Sequence, residues 1–175
     1  MDIKEAISTV VSGKSLSIAD ASAVMNTIMD GEATPSQLGA FLTGLHLKGE
    51  TPPEIAGMAN VMREKALNVH FSEDVADTCG TGGDGKNTFN ISTAAAFVAA
   101  SCGIPVAKHG NRAASGSCGS ADVLEALGVK IDLEPEAVEK CITEVGMGFM
   151  FAPVFHPSMK YAGPVRREIG IPTVF

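Results

Sequence analysis

Residues Asp77 to Thr93, DTCGTGGDGKNTFNIST, place four glycines (Gly80, Gly82, Gly83, Gly85) directly before a helix start. So dense a run of glycine turns sharply and lets a ligand approach the backbone without Cβ atoms in the way. Asn90-Ile91-Ser92-Thr93 then opens an alanine-rich segment, and the free N–H groups and dipole of a helix start favour an anion. Ser92 and Thr93 add hydroxyls there, whose ordinary role is N-capping. The combination reads as a phosphate cradle.

Charge supports that reading. The chain carries 13 Lys+Arg against 20 Asp+Glu, yet no acid falls between Asp84 and Asp122, where Lys86, Lys108 and Arg112 lie. A cationic island in an acidic chain marks a focused anion site. A buried core also excludes acids, which accounts for Ala94 to Gly103 but not for Lys108-His109-Gly110-Asn111-Arg112.

Two nucleotide motifs match in form and fail in detail. Gly80-Thr81-Gly82-Gly83-Asp84-Gly85 fits G-x-G-x-x-G, but the acid that would hold a ribose about 20 residues on is missing. Gly80 to Lys86 approximates a P-loop, but Asn87 stands where Mg²⁺ coordination needs Ser or Thr. Asp84 would also repel a bare triphosphate. It suits a ligand with hydroxyls or bound Mg²⁺ beside its phosphates, such as a phosphorylated ribose. In the second segment, Lys108 to Gly116, Lys and Arg can give charge-assisted bonds to a diphosphate worth about 1.5–3 kcal/mol each. In a third, Phe151 to Arg167, an arginine near Phe155, Met159 and Tyr161 could hold the carboxylate of an aromatic acid. An ordinary solvated helix face explains the adjacent arginines equally well.

The elements that must position these residues follow two patterns. Up to about residue 70 the chain reads as helices: Ile3 to Val11, Ile18 to Asp30 capped by Ser17, one begun by Thr34-Pro35 and ended at Gly49, and one begun by Thr51 with Glu54 at capping-box spacing. The stripes Leu38/Phe41/Leu42/Leu45 and Met25/Ile28/Met29 suit a core or a subunit contact better than a cofactor box. From residue 71 short strands alternate with helices: strand 75–79, helix 91–102, strand 104–107, helix 120–127, strand 129–132, helix 135–145 and strand 148–151. Such alternation indicates an α/β fold with a mostly parallel sheet and crossover helices. Both candidate loops then lie at the C-terminal ends of strands, where such sheets bind ligands. The expected division is a helical subdomain, 1–70, contributing a dimer contact, and an α/β domain, 71–175.

Composition narrows the function classes. The chain has 175 residues, 45% hydrophobic, with no Trp and one Tyr. Scarce aromatics and a pI near 5.0 count against a nucleic-acid partner. Cys79, Cys102, Cys118 and Cys141 show no metal-like spacing and read as reduced thiols. No segment is long and apolar enough for a membrane partner, and the start lacks a signal-peptide pattern. A cytoplasmic protein is expected.

DTCGTGGDGKNTFNIST, KHGNRAASGSCGSADVLEALG and FAPVFHPSMKYAGPVRREIG resemble, in order, three motif blocks of the anthranilate phosphoribosyltransferases. The resemblance implies transfer of the phosphoribosyl group of 5-phosphoribosyl 1-diphosphate (PRPP) to the amine of anthranilate, in tryptophan biosynthesis, with Mg²⁺ as cofactor and a homodimer as the assembly. By motif position, Gly80, Gly83, Asp84, Thr88, Asn90, Ile91, Ser92 and Thr93 would contact the donor. Lys108, His109, Gly110, Asn111, Arg112, Ala113, Ala114, Ser115, Gly116 and Ser120 would form its second loop. Gly80, His109, Asn111 and Arg166 would bind anthranilate, and Ser92 would help hold Mg²⁺. The aromatic amine is nucleophilic when neutral, so stabilising the departing diphosphate is the main catalytic task, and no general base is assigned. The family's sequence continues past the position of Phe175 and includes an Asp-Glu pair for Mg²⁺. The expectation is therefore an N-terminal portion, inactive alone. A pyrimidine nucleoside phosphorylase of related architecture and a non-catalytic nucleic-acid-binding relative are the alternatives.

Overall fold

A computed structural model describes residues 1–80, 88–113 and 118–175. In chain order the described residues form α1 (Ile3–Val11), α2 (Ile18–Met29), α3 (Pro35–Lys48), α4 (Pro52–Glu64), α5 (Ile91–Ser101), β1 (Val106–Gly110), α6 (Ser120–Ala126), α7 (Pro135–Val145), β2 (Met147–Phe151), α8 (Ala152–Phe155) and α9 (Met159–Ile169). They divide into two units. Residues 1–66 and 156–175 make the first, and residues 67–155 the second.

The first unit is helical, and its helix starts are built by the residues that the sequence marks. Asp2 accepts the N–H groups of Lys4 and Glu5 at 2.8 and 2.9 Å. Ser17 accepts that of Asp20 at 3.1 Å, and Thr34 that of Gln37 at 3.3 Å, with Pro35 in the first turn. Each satisfies a donor that a helix start leaves unpaired. The two apolar stripes meet inside this unit: Met25, Ile28, Leu38, Phe41, Leu42 and Leu45 are all sealed from solvent. They form an intrachain core, so these residues do not supply a subunit contact. From the C-terminal segment, Ala162 and Val165 of α9 join the same core.

At the α4 start the capping residue is itself buried. Glu54 is 0% exposed and accepts the Leu16 N–H at 2.9 Å, the Lys48 ammonium at 2.8 Å, and the Thr51 N–H and hydroxyl at 2.8 and 2.7 Å. Burial alone would raise its pKa. The Lys48 bond and the three neutral donors outweigh that and hold it below the ordinary carboxylate range.

The second unit holds a short parallel sheet. β1 and β2 pair in register from Val106 opposite Met147 to Gly110 opposite Phe151, with α6 and α7 in the crossover, as a parallel pair requires. Ala76 bridges to the other side of β1, its N–H donating to Pro105 O at 2.9 Å and its carbonyl accepting the Ala107 N–H at 3.0 Å. Val138 and Ile142 of α7 pack with Ala107 and Phe155 in one apolar cluster, and Ala121, Leu124, Ile131 and Phe149 form another.

Three expected strands differ. The stretch 75–79 is reduced to the single bridge at Ala76, because only that residue meets β1 in register. Residues 129–132 form no strand: Ile131 packs inward, but Val129, which would share its face in a strand, stays exposed and donates its N–H to Leu124 O at the end of α6. The strand expected at 104–107 runs from Val106 to Gly110 instead. Proline 105 has no N–H to contribute to a ladder, and pairing with β2 carries the strand through Lys108 and His109, which were expected in a loop.

Candidate anion site around Lys108

Lys108 lies at the centre of β1 and is 1% exposed. Its ammonium donates to Thr78 Oγ1 at 3.3 Å and makes no ion pair among the described residues. Desolvation pushes its pKa below the ordinary lysine value, and the negative charge of Asp77 and, when ionised, the Cys79 thiol oppose that. Burying a charge is costly unless an opposite charge or several hydrogen bonds compensate. A cation so placed is adapted to an anionic partner.

The segment before the glycine turn wraps this group. Asp77 Oδ1 accepts the Cys79 N–H at 2.8 Å and the His109 N–H at 3.3 Å. Thr78 donates its hydroxyl to Ser92 O at 2.7 Å, which links this segment to the start of α5. Cys79 Sγ lies 3.8 Å from His109 Nδ1. Burial, then the Asp77 charge, push the Cys79 thiol up, while Lys108 opposes them, so it is not a ready thiolate. His109 is pushed down, chiefly by burial with Lys108 adding to it and Asp77 opposing, which favours the neutral imidazole.

At the start of α5, Asn90 is the cap: its Oδ1 accepts the Thr93 N–H at 3.1 Å and the Thr93 hydroxyl at 2.7 Å. Thr93 is buried and its side chain is spent on this cap, whereas Ser92 is half-buried and Ile91, Thr88 and Gly80 are exposed. Ser92 therefore offers a hard oxygen of the type Mg²⁺ accepts. Among the described residues no group of three His, Cys, Asp or Glu side chains is placed to hold a metal ion. Gly83 and Asp84 lie outside the described residues, as do Ala114, Ser115 and Gly116.

Beyond β1 the backbone is fixed onto α6. Asn111 O accepts the Ala121 N–H at 3.2 Å, near Ser120, the first residue of α6. Asn111 Oδ1 accepts the Arg112 N–H at 2.8 Å. Arg112 makes a bidentate pair with Glu125, at 2.7 and 3.0 Å, and a further bond to Asp122 at 3.2 Å. Asp122 Oδ2 in turn accepts the N–H groups of Ala113 and Gly119, at 2.9 and 2.7 Å. Those bonds and Arg112 hold Asp122 well below the usual carboxylate range. Glycine is required at 119, since a Cβ there would collide with the Ala113 nitrogen and the Arg112 carbonyl carbon.

Sequence reasoning did not single out Asp77, Thr78, Asp122 or Glu125. An Asp two residues before a turn amide is a recognisable Asx signal, but its second contact, to β1, is non-local. Arg166 belongs to the first unit, on α9, half-buried, with its Nε donating to Thr173 Oγ1 at 2.9 Å; burial pushes its guanidinium down. Phe155 is 2% exposed and sits in the cluster with Ala107, Val138 and Ile142, so it presents no free wall to a ligand. A concavity of about 660 Å³ in the second unit, lined by His70, Glu73, Glu136, Glu139 and Lys140 among others, includes none of the described candidate residues.

The helical-bundle domain of a glycosyl transferase family matches residues 4–66, and the α/β domain of the same family matches residues 72–175. This chain belongs to that glycosyl transferase family. It is 67% identical over 175 residues to the anthranilate phosphoribosyltransferase of Chloroflexus aurantiacus, covering 100% of this chain and 52% of the relative. It is 64% identical over 173 residues to that of Dehalococcoides mccartyi, covering 99% of this chain and 51% of the relative. Among solved structures, the anthranilate phosphoribosyltransferase of Thermus thermophilus superposes with a TM-score of 0.83 at 49% identity, over 97% of this chain and 52% of that one. The Saccharomyces cerevisiae enzyme in complex with PRPP and Mg does so with a TM-score of 0.86 at 27% identity, over 99% and 52%. The chain therefore spans about half the length of the relatives it matches. The expected helical part followed by an α/β part with a parallel sheet is the arrangement of this family.

Proposed function

We propose that this chain supplies the donor-binding part of an anthranilate phosphoribosyltransferase, which transfers the phosphoribosyl group of PRPP to the amine of anthranilate in tryptophan biosynthesis. The observation that carries the reading is the buried ammonium of Lys108 beside Thr78, whose hydroxyl donates to Ser92 O at the start of α5. In this role Lys108 binds the diphosphate, with Gly80, Gly83, Asp84, Thr88 and the segment 90–93 as further donor contacts. His109, Gly110, Asn111, Arg112, Ala113, Ala114, Ser115, Gly116 and Ser120 are assigned to the donor with them. A fixed buried cation stabilises charge that develops on a departing diphosphate, and does so without reorganising water. Ser92 would hold Mg²⁺ with the donor's phosphates; when bound, the ion neutralises the leaving group.

Arg166, with Gly80, His109 and Asn111, is assigned to anthranilate, its guanidinium pairing with the carboxylate. The assembly in this reading is a homodimer through the helical unit, for which the exposed Val11 and Leu47 are the apolar residues to test. A cytoplasmic placement is part of this proposal; among the described residues no helix is long and apolar enough to cross a membrane.

Calorimetric titration of the chain with PRPP, with and without Mg²⁺, tests the donor assignment. Saturable binding that strengthens with Mg²⁺ is expected. Absence of PRPP binding together with undiminished binding of a pyrimidine nucleoside would overturn it.

A further inference from the structure

Asp77 is a carboxylate that the donor-site reading leaves without a role, yet it touches both segments that build the site. Its Oδ1 accepts the Cys79 N–H, where the chain enters the glycine turn, at 2.8 Å and the His109 N–H, on β1, at 3.3 Å. Between the same two segments Lys108 donates to Thr78 Oγ1 at 3.3 Å. One oxygen thus joins two segments 30 residues apart in sequence, at the place where the expected strand 75–79 keeps a single backbone bridge. That bridge alone is a weak register lock. The carboxylate supplies what the missing ladder does not.

We propose that Asp77 is a positioning residue of the donor site: it pins the segment 77–79 to β1 through the Cys79 and His109 amides and sets its negative charge against the buried ammonium of Lys108. This inference rests on the donor-site reading for its functional consequence, but its structural content is independent of it. Among the described residues, the titratable groups that act on Lys108 are Asp77 and Cys79 from the preceding segment, with His109 adjacent on its own strand. Cys79 is held as a thiol by its own surroundings, so Asp77 is the anion that opposes the desolvation of Lys108. A residue acting only as a turn former would have no effect on that proton.

Asp77→Asn and Asp77→Ala separate the two parts. The amide side chain keeps an acceptor oxygen but loses the charge; alanine loses both. Amide hydrogen exchange of Cys79 and His109 and the titration of the Lys108 side chain, both followed by NMR in the 175-residue chain, report each part directly. In Asp77→Ala the two amides should exchange about tenfold faster or more, while that of Val138 in α7 is unchanged. In Asp77→Asn the amides should stay protected while the Lys108 midpoint moves down. Unchanged amide exchange in Asp77→Ala together with an unmoved Lys108 midpoint in Asp77→Asn would overturn the proposal.

Titration with inorganic diphosphate and with PRPP completes the test. Asp77→Asn should bind both about tenfold more weakly at high pH than the parent and nearly as well at low pH, where Lys108 is charged in either protein. If the parent binds neither probe while the NMR results hold, the donor reading fails and the positioning role stands. If the parent binds them and Asp77→Asn binds equally at all pH values, the positioning role fails and the donor reading stands.

Discussion

The ammonium of Lys108 donates to the hydroxyl of Thr78 at 3.3 Å, and the same hydroxyl donates to Ser92 O at 2.7 Å. A buried cation is thereby chained through one threonine to the start of α5. The first prediction follows from that chain. Lys108→Met should weaken binding of diphosphate by about 10- to 100-fold, equivalent to the roughly 1.5–3 kcal/mol of a charge-assisted bond. Thermal stability should not fall, because an apolar side chain of similar length replaces a buried charge.

The pH dependence of Lys108 has a definite sign. Its folded pKa is lowered from 10.5, so between the folded value and 10.5 the unfolded chain holds more protons, and stability contributed at this site rises with pH. Lys108→Met should therefore gain most over the parent at neutral pH, and the gain should shrink as pH climbs through the folded value towards 10.5. Anion binding should move oppositely and weaken over the same range. Denaturation curves and diphosphate titrations across pH 7 to 10.5 check both; parallel curves for parent and variant would contradict this account.

In the helical unit, Glu54→Ala should destabilise by about 3–5 kcal/mol, the cost of stranding a buried partner, here the Lys48 ammonium at 2.8 Å. The pair Glu54→Ala, Lys48→Met should lose less than the two single losses combined. Because the folded pKa of Glu54 lies below 4.5, its contribution is complete above about pH 4.5 and disappears as pH falls through the folded value. Urea denaturation at pH 7 and along an acid series measures both effects.

Much of this architecture was legible because its signals are local. Ser17, Thr34-Pro35 and Thr51 with Glu54 start helices by bonds within three residues. Strands were less legible, since a strand exists only where a distant backbone completes its ladder. Ile131 turned inward without a partner strand, while Lys108 and His109, charged or polar enough to suggest a loop, were drawn into β1 by pairing with β2. The cation-rich second segment marked the site, but nothing in its spacing showed that Lys108 is buried whereas Arg112 is tied to α6. The charge window ended at Asp122, and that boundary residue proved to be one of the partners of Arg112.

Arg166 gives a prediction about substrate discrimination. Replacing it by Ala should weaken anthranilate by about tenfold or more, the loss of a charge-assisted pair, and leave PRPP affinity unchanged. Calorimetry of each ligand with a version of the protein extended to the length of its relatives makes the comparison. Equal loss of both ligands would refute the assignment.

Arg112 yields the last prediction, because its guanidinium is already committed. The bidentate bonds to Glu125, at 2.7 and 3.0 Å, and the bond to Asp122 at 3.2 Å must loosen before Arg112 can face an anion. Arg112 and Glu125 are exposed and Asp122 is partly so, so water and salt replace these bonds at little net cost. The two carboxylates have different duties. Asp122 also fastens Ala113 and Gly119, whereas the Glu125 carboxylate hydrogen-bonds only Arg112 among the described residues. Glu125→Gln should therefore release the guanidinium without unpinning the backbone, and tighten diphosphate binding about threefold at low salt, with the gain fading as ionic strength rises. Asp122→Asn should instead weaken it, since the backbone that carries Asn111 and Arg112 loses its two-amide anchor. If Glu125→Gln leaves diphosphate affinity unchanged while Arg112→Ala also has no effect, Arg112 serves only to hold α6 in place, and the anion site is carried by Lys108.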